Sequence, residues 1–219
     1  MAIYIDIPLR TRQAIIEEAG LTVRREAERV IKREYFDPAV EQMKQDFLSH
    51  PVTEELKLGA QNAAKTPNIS GTLEGDFKLD GEDTTTPNLF SFIGFNEGED
   101  PTVPIEEALN SRQPGIGPTL EFKEKQKNDK GVRFVFQVSA PDENVIYNDT
   151  PMPGWDDMSW AYRIEHGIPG IGFFLNAERK NSLSGGGIQV RNKLRGGRFR
   201  PVSYLTTIFK DFLRRATPK

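Results

Sequence analysis

Hydrophobic residues change their spacing several times along the chain, and each change predicts an element. Residues 2–7 alternate Ile3, Ile5 and Ile7 with Tyr4 and Asp6, which predicts a short strand with one buried face. Ile15, Ile16, Ala19, Val23, Ala27, Val30 and Ile31 then step mostly by three and four. That spacing predicts a helix over 12–35, capped by Thr11, with one apolar stripe turned to a core. Asp37-Pro38 restarts a helix, with Asp at the N-cap and Pro at the first position, and Val40, Met43 and Phe47 share its inner face. His50-Pro51 breaks it, and Thr53 caps a third helix running to Ala64. The segment 1–65 therefore reads as a mainly helical N-terminal region.

The pattern then turns to strands. Residues 66–88 are rich in Gly, Thr, Pro, Asn and acids and predict an acidic loop. Asn88 to Phe95 is a nearly continuous apolar run that suits a strand covered on both faces. An acidic turn, Glu97 to Asp100, and Pro104 introduce a short helix from Ile105 to Leu109. Leu120 and Phe122 alternate with charged residues, as do Val132, Phe134, Phe136 and Val138. With Lys127 to Gly131 as the turn, these segments predict an antiparallel hairpin. Residues 141–160 read as a long polar connector holding Trp155 and Trp160, and Gly170 to Ala177 as another strand. After a Gly/Arg-rich arm at 182–200, a helix over 201–217 carries the stripe Val202, Leu205, Ile208, Phe209, Phe212 and Leu213. Helices, then mostly strands, then one helix argue for a single α+β domain over 1–219. Its N-terminal helices pack on a small, mainly antiparallel sheet at 66–181, and a C-terminal helix closes it.

Composition narrows the function classes. With 37% hydrophobic and 28% charged residues, the 219-residue chain fits a soluble globular protein. No apolar run reaches the roughly 18 residues of a bilayer span, and the start lacks the basic-then-apolar pattern of a secretion signal. Without cysteine there is no disulfide framework, thiol nucleophile or thiolate zinc site, and His50 and His166 are the only imidazoles. The net charge of −3 hides a strong polarity. Residues 51–110 carry 12 acids and 3 bases, whereas 161–219 carry 3 acids and 12 bases. Such segregation favours head-to-tail contact between like subunits or contact with a polyanion; acidic and basic stretches paired within one monomer are the plainer alternative.

The arm concentrates this charge. Ser184 to Arg200 holds Arg191, Lys193, Arg195, Arg198 and Arg200 and no acid, among glycines that let the backbone bend and approach a partner closely. These five bases are the candidate partner- or DNA-facing contacts. They suit an acidic protein surface, a phosphate backbone or a solvated loop, and only Phe199 is available to stack a base. Other motifs carry less. Gly167-Ile-Pro-Gly-Ile-Gly172 is not the dinucleotide fingerprint and reads as a strand-flanking turn. Asp80-Gly-Glu-Asp83 lacks the ligand ladder of a calcium loop. Glu165-His166 beside Tyr162 offers a general base, although a satisfied, half-buried histidine is the simpler reading. Asp156-Asp157, adjacent on a strand, point to opposite faces. No nucleophile–base signature is present, which argues against an enzyme and leaves no catalytic or metal residues to name.

Several segments taken together resemble the neck (tail-completion, head–tail connector) proteins of tailed bacteriophages. They are Ser49-His-Pro-Val-Thr-Glu-Glu-Leu56, Ile69-Ser-Gly-Thr-Leu73, Asn88 to Phe95 and Asp100-Pro-Thr-Val-Pro-Ile105, with the Arg-rich arm and closing helix. The acidic, Thr-rich stretch Asp80 to Pro87 departs from that pattern. The resemblance implies a non-enzymatic virion structural protein that needs no cofactor. It implies a ring of six or twelve identical subunits between the capsid portal and the tail, assembled in the host cytoplasm, with adjacent connector, portal-side and tail proteins as neighbours. Double-stranded DNA would pass through the channel, and no membrane is involved. Tail terminator and head-completion roles in the same connector are the alternatives within the family. A nucleic-acid-binding module using the basic arm is the alternative from another class.

Overall fold

A computed structural model describes residues 1–8, 13–59, 89–96, 98–128, 131–153, 155–169, 173–176, 188–191, 198–199 and 201–218. The fold is α+β, and its contacts gather into two compact units.

The first unit comprises Met1–Gln45, Ala108–Asp142 and Ile208–Lys219. Its sheet is antiparallel, in the order β1 (Ala2–Pro8), β3 (Gly131–Ser139), β2 (Thr119–Asn128). The 2–7 strand and the 119–139 hairpin thus form as the alternation predicts, with Ile3 opposite Phe136 and Leu120 opposite Val138. Phe134 and Phe136 are buried, and Phe122 on β2 lies 6.3 and 5.7 Å from their rings. A bulge between Phe122 and Glu124 shifts the register beyond that aromatic group. The terminal ammonium of Met1 donates to Val138 O at 3.0 Å, tying the chain's start to the central strand.

Helix α1 (Gln13–Ile31) lays Arg24 over the Phe122 ring, 4.6 Å from its centroid, so the stem covers apolar surface while the charge meets the ring face. The Thr11 cap lies outside the described residues. The helix does not stop and restart at Asp37-Pro38. It widens into a π-helical turn, Lys32–Phe36, and runs on as α2 (Asp37–Leu48). Asp37 has helical angles (φ −62°, ψ −43°), and its N–H bonds to Lys32 O. Pro38 brings no N–H and its ring would crowd the carbonyl four residues back; the wide turn accommodates it without ending the helix. Phe36 from this turn meets Phe212 of the C-terminal helix edge-on at 6.0 Å.

The second unit comprises Asp46–Glu107 and Glu143–Thr207. It holds α3 (Pro51–Leu58), α4 (Leu89–Ile93) and most of α5 (Val103–Asn110). Then come α6 (Glu143–Asn148), the hairpin β4 (Pro151–Met152) with β5 (Trp155–Ser159), and α7 (Trp160–His166). Two short antiparallel ladders follow: β6 (Ile168–Pro169) with β9 (Arg198–Phe199), and β7 (Phe173–Asn176) with β8 (Ile188–Arg191). Its core includes Phe47, Leu56, Phe90, Ile105, Ile146, Trp160 and Tyr204.

Five expectations are corrected here. The cap of α3 is His50, whose Nδ1 accepts from Val52 N at 3.3 Å; Thr53 lies inside the helix, buried, and shares a 2.6 Å hydrogen bond with Tyr204 Oη. The helix stops at Leu58, where Gly59 takes φ +75°. The apolar run at 88–95 is a helix, α4, not a strand. The buried Glu55 carboxylate receives the Leu89 N–H at its start, and Gly94 (φ +99°) closes it with an N–H to Phe90 O of 3.1 Å. Residues 141–160 are not a solvated connector, because their polar groups bond one another. Thr150 Oγ1 donates to Ile146 O at 2.8 Å, Ser159 Oγ lies 2.8 Å from Thr150 Oγ1, and Trp160 N reaches Thr150 O at 2.9 Å. The C-terminal helix, α8 (Leu205–Arg215), starts four residues later than the Pro201 expectation, after Val202 N has bonded Ile164 O. The helix reading at 60–64, the loop at 66–88 and the turn residues 129–130 lie outside the described residues.

Candidate functional site

Of the five arm bases, Arg191 sits on β8 opposite Phe173 and Arg198 on β9 opposite Pro169, in different ladders. Lys193, Arg195 and Arg200 lie outside the described residues, as does Asp80 to Asp83. Pro169 is itself in a strand, in a two-residue ladder of the kind proline tolerates, while Gly170 to Gly172 lie outside the described residues.

A connected polar group of the second unit is built around α7. This helix is capped by Ser159, whose Oγ accepts from Tyr162 N at 3.1 Å. Trp160, Ala161 and Ile164 face the core, with Trp160 edge-on to Phe95 at 5.9 Å. That leaves Tyr162, Arg163, Glu165 and His166 on the outer and flanking sides.

The Glu165 carboxylate is engaged by partners other than His166. Its Oε1 accepts from Tyr204 N (3.2 Å) and Thr206 N (2.7 Å), and its Oε2 from Thr206 Oγ1 and Tyr147 Oη (3.2 Å). It is a tertiary cap on α8, meeting the helix's free N–H groups and the positive end of its dipole. Burial, then the nearby Glu165 and Glu143 charges, push the Tyr147 phenol well above its ordinary range. His166 is exposed and stacks on Tyr162 with ring centroids 3.9 Å apart, its Nδ1 2.9 Å from Tyr162 O.

Beside this network lies a cleft of about 430 Å³, lined by Tyr147, Asn148, Pro151, Met158, Ser159, Tyr162 and Arg163. Tyr147 and Tyr162 meet at 84° with centroids 5.3 Å apart, forming an aromatic corner. The Arg163 guanidinium reaches Met158 Sδ at 3.3 Å and, among the described residues, no carboxylate. Among the described lining residues, the cleft thus sets one half-buried cation beside two packed aromatic rings, one of them bonded to the Glu165 carboxylate. Sequence reasoning missed Tyr147, Met158 and Arg163, which it left in or beside the supposed connector. Only the isolated Arg163 in an otherwise apolar-and-tyrosine helix turn signalled them.

A second buried group sits at α3. Tyr204, fully buried, stacks on Phe47 at 5.9 Å and tilts against His50 at 4.7 Å. Burial, partly opposed by a backbone hydrogen bond with Ser203 and by the Glu165 charge, lowers the His50 pKa. Burial also drives the Tyr204 phenol far upward. Lys57 pairs with Glu106 and, at 4.0 Å, Asp100, while Asp100 Oδ1 accepts from Thr102 N at the start of α5. Among the described residues, no group of three or more His, Asp or Glu is placed to hold a metal ion, and no helix is long and apolar enough to cross a membrane.

Comparison of the chain with protein-family models, with curated proteins and with solved structures found no match.

Proposed function

We propose that this chain is a non-enzymatic structural protein of a tailed-phage virion. It forms a ring in the neck between portal and tail, in a tail-completion or head–tail joining role. The observation that carries the reading is the charge layout: −9 over residues 51–110 against +9 over 161–219. Opposed stretches of this size suit a heterologous contact, one subunit's basic side against the next one's acidic side, and such contacts close into rings. The short motifs shared with neck proteins support the same role, and within it the ring binds neighbouring connector and tail proteins around passing DNA. The Gly/Arg-rich arm is its gripping element.

The test is assembly. Native mass measurement of the protein and fractionation of virions should give a six- or twelve-membered ring that co-purifies with neck components. Changing Arg191, Lys193, Arg195 and Arg198 together to Ser should leave the fold intact and abolish joining; normal tail joining by that variant refutes the reading. The five arm bases also favour a second reading, a nucleic-acid clamp. Its signature is useful DNA affinity in the free protein with a steep fall as salt rises.

A further inference from the structure

We infer that His50 is an acid-operated latch. A proton taken up at its Nδ1 uncaps α3 and slackens the joint that this helix makes with α4 and with the stretch leading into α8, while the rest of the second unit stays folded. The inference goes beyond the neck reading and needs no partner or second copy.

The half-buried imidazole holds two backbone segments at once. Its Nδ1 accepts from Val52 N at 3.3 Å as the cap of α3, and the ring also bonds the backbone of Ser203, just ahead of α8. Accepting at Nδ1 requires the neutral tautomer that carries its proton on Nε2, the nitrogen left to serve Ser203. Pro51 brings no N–H, and Glu54 N already bonds the His50 carbonyl at 3.0 Å, so the first free amide of α3 depends on the ring. Protonation at Nδ1 would aim one N–H at another, and the capping bond becomes a repulsion.

Two neighbours depend on α3 staying in place. Thr53 Oγ1 shares a 2.6 Å hydrogen bond with Tyr204 Oη, and the buried Glu55 carboxylate receives the Leu89 N–H that starts α4. Tyr204 also lies against the His50 ring at 4.7 Å and gives its N–H to Glu165 at 3.2 Å. Loss of one cap therefore reaches α3, the start of α4 and the Tyr204 anchor together.

The surroundings set where the latch turns. Tyr204 brings no charge to the ring, because burial drives its phenol far upward. On α3 itself, Glu55 is turned to Leu89 and Lys57 to Glu106. Among the described residues, Glu165 on α7 is the group whose charge acts on the imidazole; it favours the protonated form, and burial outweighs it. The latch is thus shut at neutral pH and opens below the ordinary histidine value of 6.5.

NMR of the full-length chain reads ring and backbone together between about pH 7.5 and 4.5. The His50 Cε1 shift should titrate with a midpoint below 6.5, and the Val52 amide shift should follow it with the same midpoint. Below that midpoint, the hydrogen-exchange protection factors of Val52 and Leu89 should fall about tenfold, while that of Ile164 in α7 holds. In H50N, which keeps a capping oxygen and does not titrate, the step at Val52 should vanish; H50Q serves if H50N folds poorly. H166N, which removes the exposed histidine, should leave the step in place. A Val52 amide indifferent to the His50 titration overturns the latch, and so does a step that survives in H50N or H50Q. Loss of protection at Ile164 with the same midpoint also overturns it, since His50 would then be a contributor to global stability alone.

Discussion

Removing the Glu165 carboxylate should destabilise the second unit far more than an outward-lying glutamate would. In Glu165→Ala, two backbone N–H groups at the α8 start and the hydroxyls of Thr206 and Tyr147 lose their acceptor together. A lost helix cap costs about 1 kcal/mol, and each donor stranded away from water adds roughly 1 kcal/mol or more. The group is half-buried, so water recovers part of this, and the expected loss is about 2–4 kcal/mol. Glu165→Gln retains one acceptor oxygen but neither the charge nor the second acceptor, and should lose about 1–2 kcal/mol. Urea unfolding measures both, followed by the emission of buried Trp160 in a Trp155→Phe background. The midpoint should fall with an unchanged slope, since the same surface is exposed on unfolding. An Ala variant within about 0.5 kcal/mol of the parent, inside the scatter of ordinary surface changes, refutes the capping role.

Other outcomes follow from single contacts. Tyr204→Phe strands the Thr53 hydroxyl in a fully buried site and should lower stability by about 1–2 kcal/mol, whereas Thr53→Val with Tyr204→Phe should recover part of it in a double-mutant cycle. His50 has its pKa lowered by burial, so the unfolded chain takes up a proton near pH 6.5 while the fold resists it. Stability present above pH 6.5 is therefore lost as pH falls through that value toward the depressed folded pKa. His50→Asn, which keeps a capping oxygen for Val52 N, should flatten that part of the profile. Gly94→Ala forces a side chain onto φ +99° in open space, so the cost is backbone strain alone, about 1–2 kcal/mol by thermal melting.

The parts of the fold that sequence patterning reached are those where one periodicity governs a whole segment. Strand β1 and the β2–β3 hairpin follow the two-residue alternation, and α8 follows an apolar stripe of period near 3.6; α1 forms as a helix, but Val30 of its expected stripe is exposed. The run at 89–93 failed because an apolar string of this length fits a buried strand or a buried helix equally. What decided it was Glu55, a carboxylate 34 residues earlier that meets the Leu89 amide; Gly94, directly after the run, was the local sign of a helix end. The 141–160 segment failed for a related reason. Its Thr, Ser and Asn residues look solvated by composition, yet Thr150 and Ser159 are bonded to one another and to backbone. The cleft was illegible for the same cause, since its walls come from three elements that the polar composition concealed.

Glu55 and Glu165 explain why a charge tally along the chain and a charge map of the fold differ. Both are carboxylates, one from the acidic stretch and one from the basic stretch, and each is fixed to the N-terminus of a helix distant in sequence. Helix α4 has five residues and cannot hold itself together by propagation alone, so its cap must come from outside. The α8 cap likewise links α7 to the chain's last helix. Acids committed in this way are unavailable to neutralise bases. Asp100 does both, its Oδ1 serving Thr102 at the start of α5 while its Oδ2 lies 4.0 Å from Lys57 Nζ. Glu55 and Glu165 thus act in the fold as helix caps, whatever the sign of the charge sum of the stretch each comes from.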